Sequence, residues 1–301
     1  MTLKATSLRI LASVLLGLGL SACGAQSNTH ERATTITVNI GRTGPLAQIP
    51  LDLAQSLGLF HQQGIQVLIS QHPPSDIVIG PAGRRWPIYG VIGQGINGLV
   101  VSPEPDPGFR LAGLEQVPIA YPQSQPSLAW AFRGLMRTHA VRDTLLEPLG
   151  TEAIIRLWQA HHLAYVLVDA ALWQRLHRTD PSATLLAVLS ASMGPMPTVT
   201  VSGQNRSLPQ FLAALNLSLW YLTTHRPKNI LPLLPRCLRT PQTRLFIQLA
   251  ERYQWYAAST VPTRQDYQRG VLFWRTLGVK WPDYYRAVDT RPSLVALSLT
   301  P

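Results

Sequence analysis

Cysteine and histidine have the widest chemical repertoire in this sequence, and their spacing matches no catalytic motif. There are two cysteines, Cys23 and Cys237, and eight histidines. His161 and His162 are adjacent, so on a helix their side chains point about 100° apart and cannot readily share a metal ion. Neither Gly-x-Ser-x-Gly nor His-Glu-x-x-His occurs. The sequence therefore predicts a protein that is not an enzyme and has no cofactor and no metal site.

The first residues predict export. Lys4 and Arg9 precede an apolar run at 10–20, and small residues follow it, as is typical of a secretory signal. The run is too short to cross about 30 Å of hydrocarbon as a stable helix. The Leu-Ser-Ala-Cys segment that ends at Cys23 resembles a bacterial lipobox, which implies that Cys23 becomes the lipidated first residue. The alternative is an ordinary secretory signal with an incidental Cys23.

A lipidated Cys23 would place the protein at a membrane surface outside the cytosol. Residues 1–22 are then the lipoprotein signal peptide, and the polar residues 23–34 form a flexible tether. Two or more acyl chains hold a protein firmly to a membrane. The predicted location is the extracytoplasmic face of a membrane, on the periplasmic side in a cell with two membranes. Cys237 has no intramolecular partner and is expected to be a buried, inert thiol.

Composition and charge restrict the class of partner only weakly. The 301 residues are 46% hydrophobic, enough for a sizeable core and for two lobes. The formal net charge is +11, and loss of Lys4 and Arg9 with the signal lowers it by two, to +9. The basic residues are scattered, and export argues against nucleic acid as a partner. An anionic ligand, anionic lipid headgroups and an acidic external medium all remain open as explanations.

Strand and helix patterns alternate in the first part of the chain, and helices dominate its end. A strand at 35–40, a helix from about Pro50, and strands at 65–69 and 76–80 predict an α/β body with a mostly parallel sheet. Further strands are predicted at 89–93, 98–102, 117–121, 163–169, 185–189 and 198–202, and helices at 127–139, 208–224, 239–256 and 267–277. This order predicts two lobes, with 35–108 and 198–301 in lobe 1 and 109–197 in lobe 2. The chain is expected to cross near 103–115 and to return near 195–202.

Several segments in order carry a family resemblance. The strand at 36–40 and the helix-turn "Ala-x-x-x-Gly-x-Phe-x-x-x-Gly-Ile" that ends at Ile65 resemble the opening of certain extracytoplasmic solute-binding proteins. The members of this group bind nitrate, sulfonates, taurine or thiamine precursors. Asp76-Ile77-Val78-Ile79-Gly80, the strand that ends at Asp169 and the strand at 197–202 are similar to later parts of the family. The resemblance implies a bilobed type 2 periplasmic-binding-protein fold, with two mixed sheets flanked by helices and a cleft between the lobes.

The resemblance also implies which loops hold a ligand. The candidate ligand-binding residues are Thr43, Gly44, Gln48, Ala82, Gly83, Trp86, Ser124, Gln125, Ser127, Asp169 and Met193. Some have simpler explanations. Arg84 and Arg85 beside Trp86 are solvated arginines or an oxyanion grip, and Ser124 and Ser127 are helix caps or ligand contacts. Asp169 binds an amine or hydroxyl or caps the helix after it, and 192–196 is a candidate hinge.

The sequence departs from the family between its second and third strands. The family usually has a helix there, but only 70–75 separates the strands in this chain. The first lobe thus lacks one layer, which leaves the shape of the binding pocket open.

The resemblance implies a monomeric, lipid-anchored solute-binding protein. It would deliver a small anionic or heterocyclic solute to the permease of an ABC importer. The alternative is a lipoprotein that has lost solute binding and recognises a membrane partner. An enzymatic role is a third alternative that rests on fold analogy alone.

Overall fold

A computed structural model describes residues 33–41, 43–70, 74–82, 87–141 and 144–300. The predicted signal peptide, the lipidation site Cys23 and the candidate ligand residues Gly83 and Trp86 lie outside these ranges. None of the described helices is long and apolar enough to cross a membrane.

Within the described ranges, ten strands form two five-stranded sheets. They are β1 (Thr34–Ile40), β2 (Ile65–Ser70), β3 (Ile77–Pro81), β4 (Gly90–Gly93), β5 (Leu99–Ser102), β6 (Pro118–Pro122), β7 (Leu145–Leu149), β8 (Tyr165–Val168), β9 (Thr184–Val188) and β10 (Val199–Gly203). The first sheet has the order β2-β1-β3-β10-β4, and the second has the order β7-β6-β8-β5-β9. Both are mixed, because β10 is antiparallel to β3 and β4 in the first, and β5 is antiparallel to β8 and β9 in the second.

Helices flank both sheets. They are α1 (Pro45–Ser56), α2 (Leu59–Gln62), α3 (Pro126–Thr138), α4 (Thr151–Gln159), α5 (Ala170–Thr179), α6 (Leu189–Met193), α7 (Leu208–Thr224), α8 (Pro227–Ile230), α9 (Pro241–Arg252), α10 (Arg264–Thr276), α11 (Tyr284–Ala287) and α12 (Arg291–Ser298). Short 3-10 turns lie at 111–114, 231–233 and 236–238. The predicted α/β class with two mixed sheets flanked by helices is confirmed.

The first sheet packs against α1 and α7, and its apolar side chains face these helices. Ile36 and Val38 of β1 are fully buried, while the intervening Thr37 is only half-buried. Such alternation is expected of a strand with one face on the core. Phe60 of α2 stacks on Phe211 of α7 with ring centroids 5.5 Å apart. The α7 helix thereby holds α1 and α2 on one face of the first sheet.

Helix α1 begins earlier than the sequence pattern predicts. It starts at Pro45 and contains Pro50, where the prediction placed its first residue. Proline is favoured in the first helical turn, which is the signal that misled the prediction. Inside a helix, proline removes one backbone donor. The carbonyl of Pro50 accepts a hydrogen bond from Ser218 Oγ of α7 (2.6 Å).

The chain crosses between the sheets earlier than predicted. Residues 99–102 were placed in lobe 1, but β5 pairs with β8 and β9 of the second sheet. The first crossing is therefore the segment 94–98, and the expected crossing near 103–115 is wrong. The return, between β9 and β10, falls at 189–198 and overlaps the predicted return near 195–202.

Candidate functional site

Strand ends of the first sheet converge beside the crossing segments. Pro81 at the end of β3 and Gly93 at the end of β4 both pair with Val199, the first residue of β10. Strand β1 is parallel to β3, so its carboxyl end lies on the same side. We call residues 41 and 43–48, which lead from β1 into α1, together with Ala82 the first edge.

Strand ends of the second sheet converge in the same way. Leu99 at the start of β5 pairs with Val168 at the end of β8 and with Val188 at the end of β9. Strands β6 and β7 run parallel to β8, so they end on this side too. We call residues 122–127, which lead from β6 into α3, together with Asp169 the second edge. The crossing segments join the two edges, and open α/β sheets bind ligands at the carboxyl ends of their strands.

The first edge is shaped by a tight loop after β1. Gly41 N–H donates to the carbonyl of Ile79 in β3 (2.8 Å), and Thr43 N–H donates back to the carbonyl of Gly41 (2.7 Å). Gly44 precedes α1 with φ +58°, a backbone conformation that residues other than glycine rarely adopt. No side chain caps the start of α1, and its first residue, Pro45, has no N–H that would need a partner. Thr43 and Gly44 thus set the start of α1.

Gln48 and Asp52 form a pair on α1. Gln48 Nε2 donates to Asp52 Oδ2 at 2.7 Å. The two residues are four apart, the spacing at which helical side chains meet. Burial raises the pKa of Asp52, and the hydrogen bond from Gln48 partly opposes that rise. Asp52 was not among the predicted site residues, although the i,i+4 spacing was a usable signal.

A cavity of about 380 Å³ opens beside this pair. Its apolar wall includes Ile40, Ile49, Ile69 and Leu238, and its polar atoms include those of Gln48 and Thr243. No charged side chain lies among the described residues that line it. Leu238 lies just before α9, and Thr243 lies in its first turn. Neither residue was predicted to be near the first edge. The cavity is therefore formed jointly by the first edge and the α9 region.

The second edge contains a matching pair. Gln125 Nε2 donates to Asp169 Oδ2 at 2.7 Å, although the residues are 44 apart in sequence. Asp169 Oδ1 accepts a hydrogen bond from Leu172 N–H (2.8 Å) and so caps α5, one of the two roles foreseen for it. Gln125 Oε1 is buried and has no hydrogen-bond partner within the described protein. Two predicted ligand residues, Gln125 and Asp169, are thus in direct contact.

The remaining predicted residues of the described chain occupy varied positions. Ser124 and Ser127 are exposed, and the capping role considered for them is wrong because Gln125 is the N-cap of α3, which has no side-chain cap. Ala82 N–H donates to the carbonyl of Thr198 (3.0 Å), so it is tied to the return segment. Met193 packs against the core of the second sheet. Cys237 is exposed, so the prediction of a buried thiol is wrong.

A third segment, around Trp255, lies beside the two crossing segments and was not predicted from the sequence. Gln94 N–H donates to the carbonyl of Trp255 (2.9 Å), and Trp255 Nε1 donates to Ser190 Oγ (2.6 Å). The indole is completely buried. A Cβ added to Gly95 would lie 2.7 Å from Trp255 Cδ1, so only glycine fits there without movement. Gly95 was the sequence signal that could have indicated this close approach.

Helix α9 connects the flanking helices of the two sheets. It packs on α5 beside the second sheet and on α7 beside the first. Its Phe246 is buried with its ring centroid 5.3 Å from that of Trp255. One hydrophobic cluster consequently includes Val38 of β1, Phe246 of α9 and Val168 of β8. Apolar side chains of α9 therefore connect the cores of the two sheets.

The structure is similar to solved structures of solute-binding proteins. It matches the periplasmic sulfonate-binding protein SsuA from Methylobacillus flagellatus with a TM-score of 0.63 and 11% identity, over 89% of this chain and 95% of that one. The aliphatic sulphonate-binding SsuA from Escherichia coli matches with a TM-score of 0.59 and 13% identity, over 86% and 91%.

An enzyme shares the fold as well. The desulfurization enzyme DSZB matches with a TM-score of 0.57 and 12% identity, over 88% of this chain and 99% of that one. The sequence matches no protein-family model and no curated protein. At these identities the likeness shows the fold, which is that of the SsuA-like periplasmic solute-binding proteins.

Proposed function

We propose that this protein is a lipid-anchored, extracytoplasmic solute-binding protein that delivers a small solute to an ABC importer. The observation that carries the proposal is that the strand ends of both sheets lie beside the same two crossing segments, and that each edge has a hydrogen-bonded Gln–Asp pair. Convergent polar groups beside an apolar cavity are the usual composition of a small-molecule site. The shared fold with sulfonate-binding proteins supports transport as the purpose of binding.

The lobes of the proposed clamp follow the sheets. Lobe 1 consists of 35–93 together with the chain from β10 onward, and lobe 2 contains β5 to β9. Candidate ligand residues on lobe 1 are Thr43, Gly44, Gln48 and Ala82, with Gly83 and Trp86 next to them in sequence. Those on lobe 2 are Gln125 and Asp169, with Ser124, Ser127 and Met193 around them. The protein acts as a monomer in this proposal.

Binding without bond chemistry is the role that these residues suit. An amide side chain is neither a nucleophile nor an acid–base catalyst near neutral pH. Asp169 uses its two oxygens to cap α5 and to fix Gln125. The enzyme with the same fold gives the catalytic alternative its only support.

Anchoring follows from the lipobox at Cys23, and the tether to β1 would keep the lobes close to the membrane. Mass spectrometry of the mature amino terminus tests this part of the proposal. A diacylglyceryl-modified Cys23 is the expected species. A chain that begins at another residue, or that carries an unmodified Cys23, contradicts it.

The second candidate function is recognition of a membrane partner after loss of solute binding. Two observations favour it: α9 joins the apolar cores of the two sheets, and only six residues, 71–76, separate the end of β2 from the start of β3. In this alternative the cavity beside Gln48 has no solute.

A metabolite screen by thermal unfolding separates the two functions. A solute should raise the melting temperature of the wild-type chain, and Gln48→Ala should reduce that shift because it removes a side chain of the site. Gln159→Ala, at the exposed end of α4, is the matched control and should keep the full shift. No shift with any metabolite would favour the partner-recognition alternative, whereas equal shifts in both variants would mean that the solute binds away from Gln48.

A further inference from the structure

One stretch of the chain carries positive charge with no negative charge near it in sequence. Between Asp180 and Glu251 there is no acidic residue, although six arginine or lysine residues lie there. Five of these cations fall within 226–244, which we call the basic segment. They are Arg226, Lys228, Arg236, Arg239 and Arg244, and all five are exposed. The positive net charge of the sequence is thus partly concentrated in one short segment.

The fold gathers these cations on the first lobe. The basic segment comprises α8, two 3-10 turns and the start of α9, and α8 packs on α9. Ile230 and Leu234 are fully buried and fix the segment to the core, while the charged side chains between them and after them stay exposed. Arg239 Nε donates to the carbonyl of Leu234 (2.7 Å), which orients that guanidinium. The charges looked scattered in the sequence because no two of them are adjacent.

These cations have no carboxylate partner within the described ranges. The three ion pairs found there all lie in other parts of the chain. The residues outside the described ranges include two acidic ones, Glu31 and Asp143, which are too few to neutralise five cations. The basic segment is therefore a surface of net positive charge, which attracts an anionic partner.

An exposed aromatic side chain lies next to the basic segment. Trp220, near the end of α7, is 55% exposed and meets the ring of His225 edge-on with centroids 5.7 Å apart. His225 also stacks on Tyr221 and is followed directly by Arg226. Tryptophan and tyrosine combined with arginine and lysine are typical of the interface between a lipid bilayer and water.

We infer that the basic segment and Trp220 bind the headgroups of an anionic lipid bilayer. A surface with one sign of charge suits such headgroups, which are uniformly negative, whereas protein surfaces usually mix both signs. Leu238 and Thr243 of the segment also line the 380 Å³ cavity, so this contact places the cavity close to the membrane. An importer in that membrane would then receive the solute over a short distance.

The proposed anchor makes this contact reachable, and this step of the inference rests on the proposed function. Ten residues, 24–33, separate Cys23 from the start of β1, and an extended chain of that length spans about 35 Å. Strand β1 spans about 23 Å from its start to the first edge, where the basic segment borders the cavity. The tether is thus long enough to extend past β1 and let the basic segment touch the bilayer.

Sedimentation with sucrose-loaded vesicles tests the contact without the anchor. Ala33–Pro301 is a compact unit, so the test uses the chain from residue 23 with Cys23→Ser, which lacks the predicted signal peptide and cannot be lipidated. It should bind vesicles of phosphatidylglycerol and phosphatidylcholine at least about tenfold more tightly than phosphatidylcholine alone. Raising the salt from about 0.1 M to about 1 M should remove most of this preference, because the Debye length falls from about 10 Å to about 3 Å.

Two quadruple variants locate the contact. The first neutralises exposed cations of the basic segment: Arg226→Gln, Lys228→Gln, Arg236→Gln and Arg244→Gln. It should weaken binding to the anionic vesicles at least about 100-fold, since each cation at such a surface contributes about fivefold. The matched control removes the same charge from exposed residues elsewhere: Arg110→Gln, Arg133→Gln, Arg275→Gln and Lys280→Gln. It should weaken binding by less than about fivefold, because these residues do not touch the bilayer.

Trp220→Ala tests the aromatic part of the contact. It should weaken binding to the anionic vesicles by about fivefold, because the indole no longer enters the headgroup layer. Trp130→Ala is the matched control, since Trp130 is 49% exposed on α3 of the second lobe, and it should leave binding unchanged. Equal effects of the two substitutions would contradict a contact at Trp220.

Several results would overturn the inference. They are equal binding to the two kinds of vesicle, no binding to either, or equal losses in the two quadruple variants. Poly-L-glutamate represents an acidic protein partner, and tighter binding to it than to the anionic vesicles at equal negative charge would assign the basic segment to a protein instead. Thermal unfolding with a solute is measured on the same chains. A retained solute shift without vesicle binding overturns this inference alone, whereas absence of both contradicts the proposed function as well.

Discussion

Asp76 connects β3 to β1 through hydrogen bonds that depend on its charge. Its Oδ2 accepts from Thr37 N–H (2.7 Å) and from Thr37 Oγ1 (2.8 Å), and its own N–H donates to Thr37 Oγ1 (3.0 Å). The bond from the Thr37 backbone is the largest cause that lowers the pKa of Asp76 below 3.8, followed by the bond from its side chain. A carboxyl group with a lowered folded-state pKa stabilises the fold above its unfolded pKa. That contribution disappears as the pH falls through the folded pKa.

Asp76→Asn is expected to lower the free energy of unfolding by about 1–3 kcal/mol at pH 7, since hydrogen bonds to a charged acceptor are lost. The difference from wild type should shrink as the pH falls below 3.8, first because the carboxyl of the unfolded chain is protonated and then, at lower pH, because that of the folded chain is protonated too. Urea unfolding at pH 7 and at pH 3 measures both values, with Asp283→Asn as a surface control. A difference that is equal at the two pH values would mean that the charge of Asp76 is irrelevant.

The two glutamine pairs mark how far the site could be predicted from residues alone. Gln48 and Asp52 are separated by one helical turn, so their contact follows from helix geometry once α1 is known. Gln125 and Asp169 meet only because β6 and β8 are neighbours, and no local pattern encodes that pairing. The resemblance pointed to Gln48, Gln125 and Asp169, but not to their contacts. Leu238 and Thr243 required the tertiary structure, whereas the i,i+4 spacing could have indicated Asp52.

At the scale of elements, the strands with alternating or continuous apolar residues were predicted within one or two residues. Strand β7 was missed because it contains Glu147 and Pro148 and is largely exposed, so it lacks the pattern of a buried strand. Proline is tolerated there since β7 is the edge strand of the second sheet. Helices α4 and α12 were missed too, and α12, which packs on α7, has three exposed aliphatic residues.

The crossing segment 94–98 is expected to be sensitive to the smallest addition of volume. Gly95→Ala would place its Cβ 2.7 Å from Trp255 Cδ1 and 3.1 Å from Ser190 Cβ, atoms of buried residues that cannot easily move. Overpacking of this kind costs about 1–3 kcal/mol. Gly113→Ala, which meets nothing within 4 Å, is the matched control and should change stability by less than about 0.5 kcal/mol. Similar urea midpoints for both variants would contradict the close packing at Gly95.

At the scale of the whole molecule, the shared hydrophobic cluster predicts how the two lobes unfold. Sheets that were connected only by crossing segments could unfold separately, but α9 buries Phe246 in a cluster that includes residues of both sheets. The wild-type chain should therefore unfold in one transition, with tryptophan fluorescence and far-ultraviolet circular dichroism giving the same urea midpoint. Separate midpoints in wild type would mean that α9 does not couple the lobes.

Phe246→Ala is expected to divide that transition into two. The truncation costs about 3–5 kcal/mol and removes the ring beside Trp255, so it weakens the contact between lobes more than either lobe itself. Phe60→Ala is the matched control, because Phe60 stacks on Phe211 within the first lobe. It should lower the midpoint by a comparable amount and retain one transition. If Phe246→Ala also unfolds in one transition, the coupling resides in the crossing segments and Trp255, and lobe motion on solute binding would then be governed by those segments and not by α9.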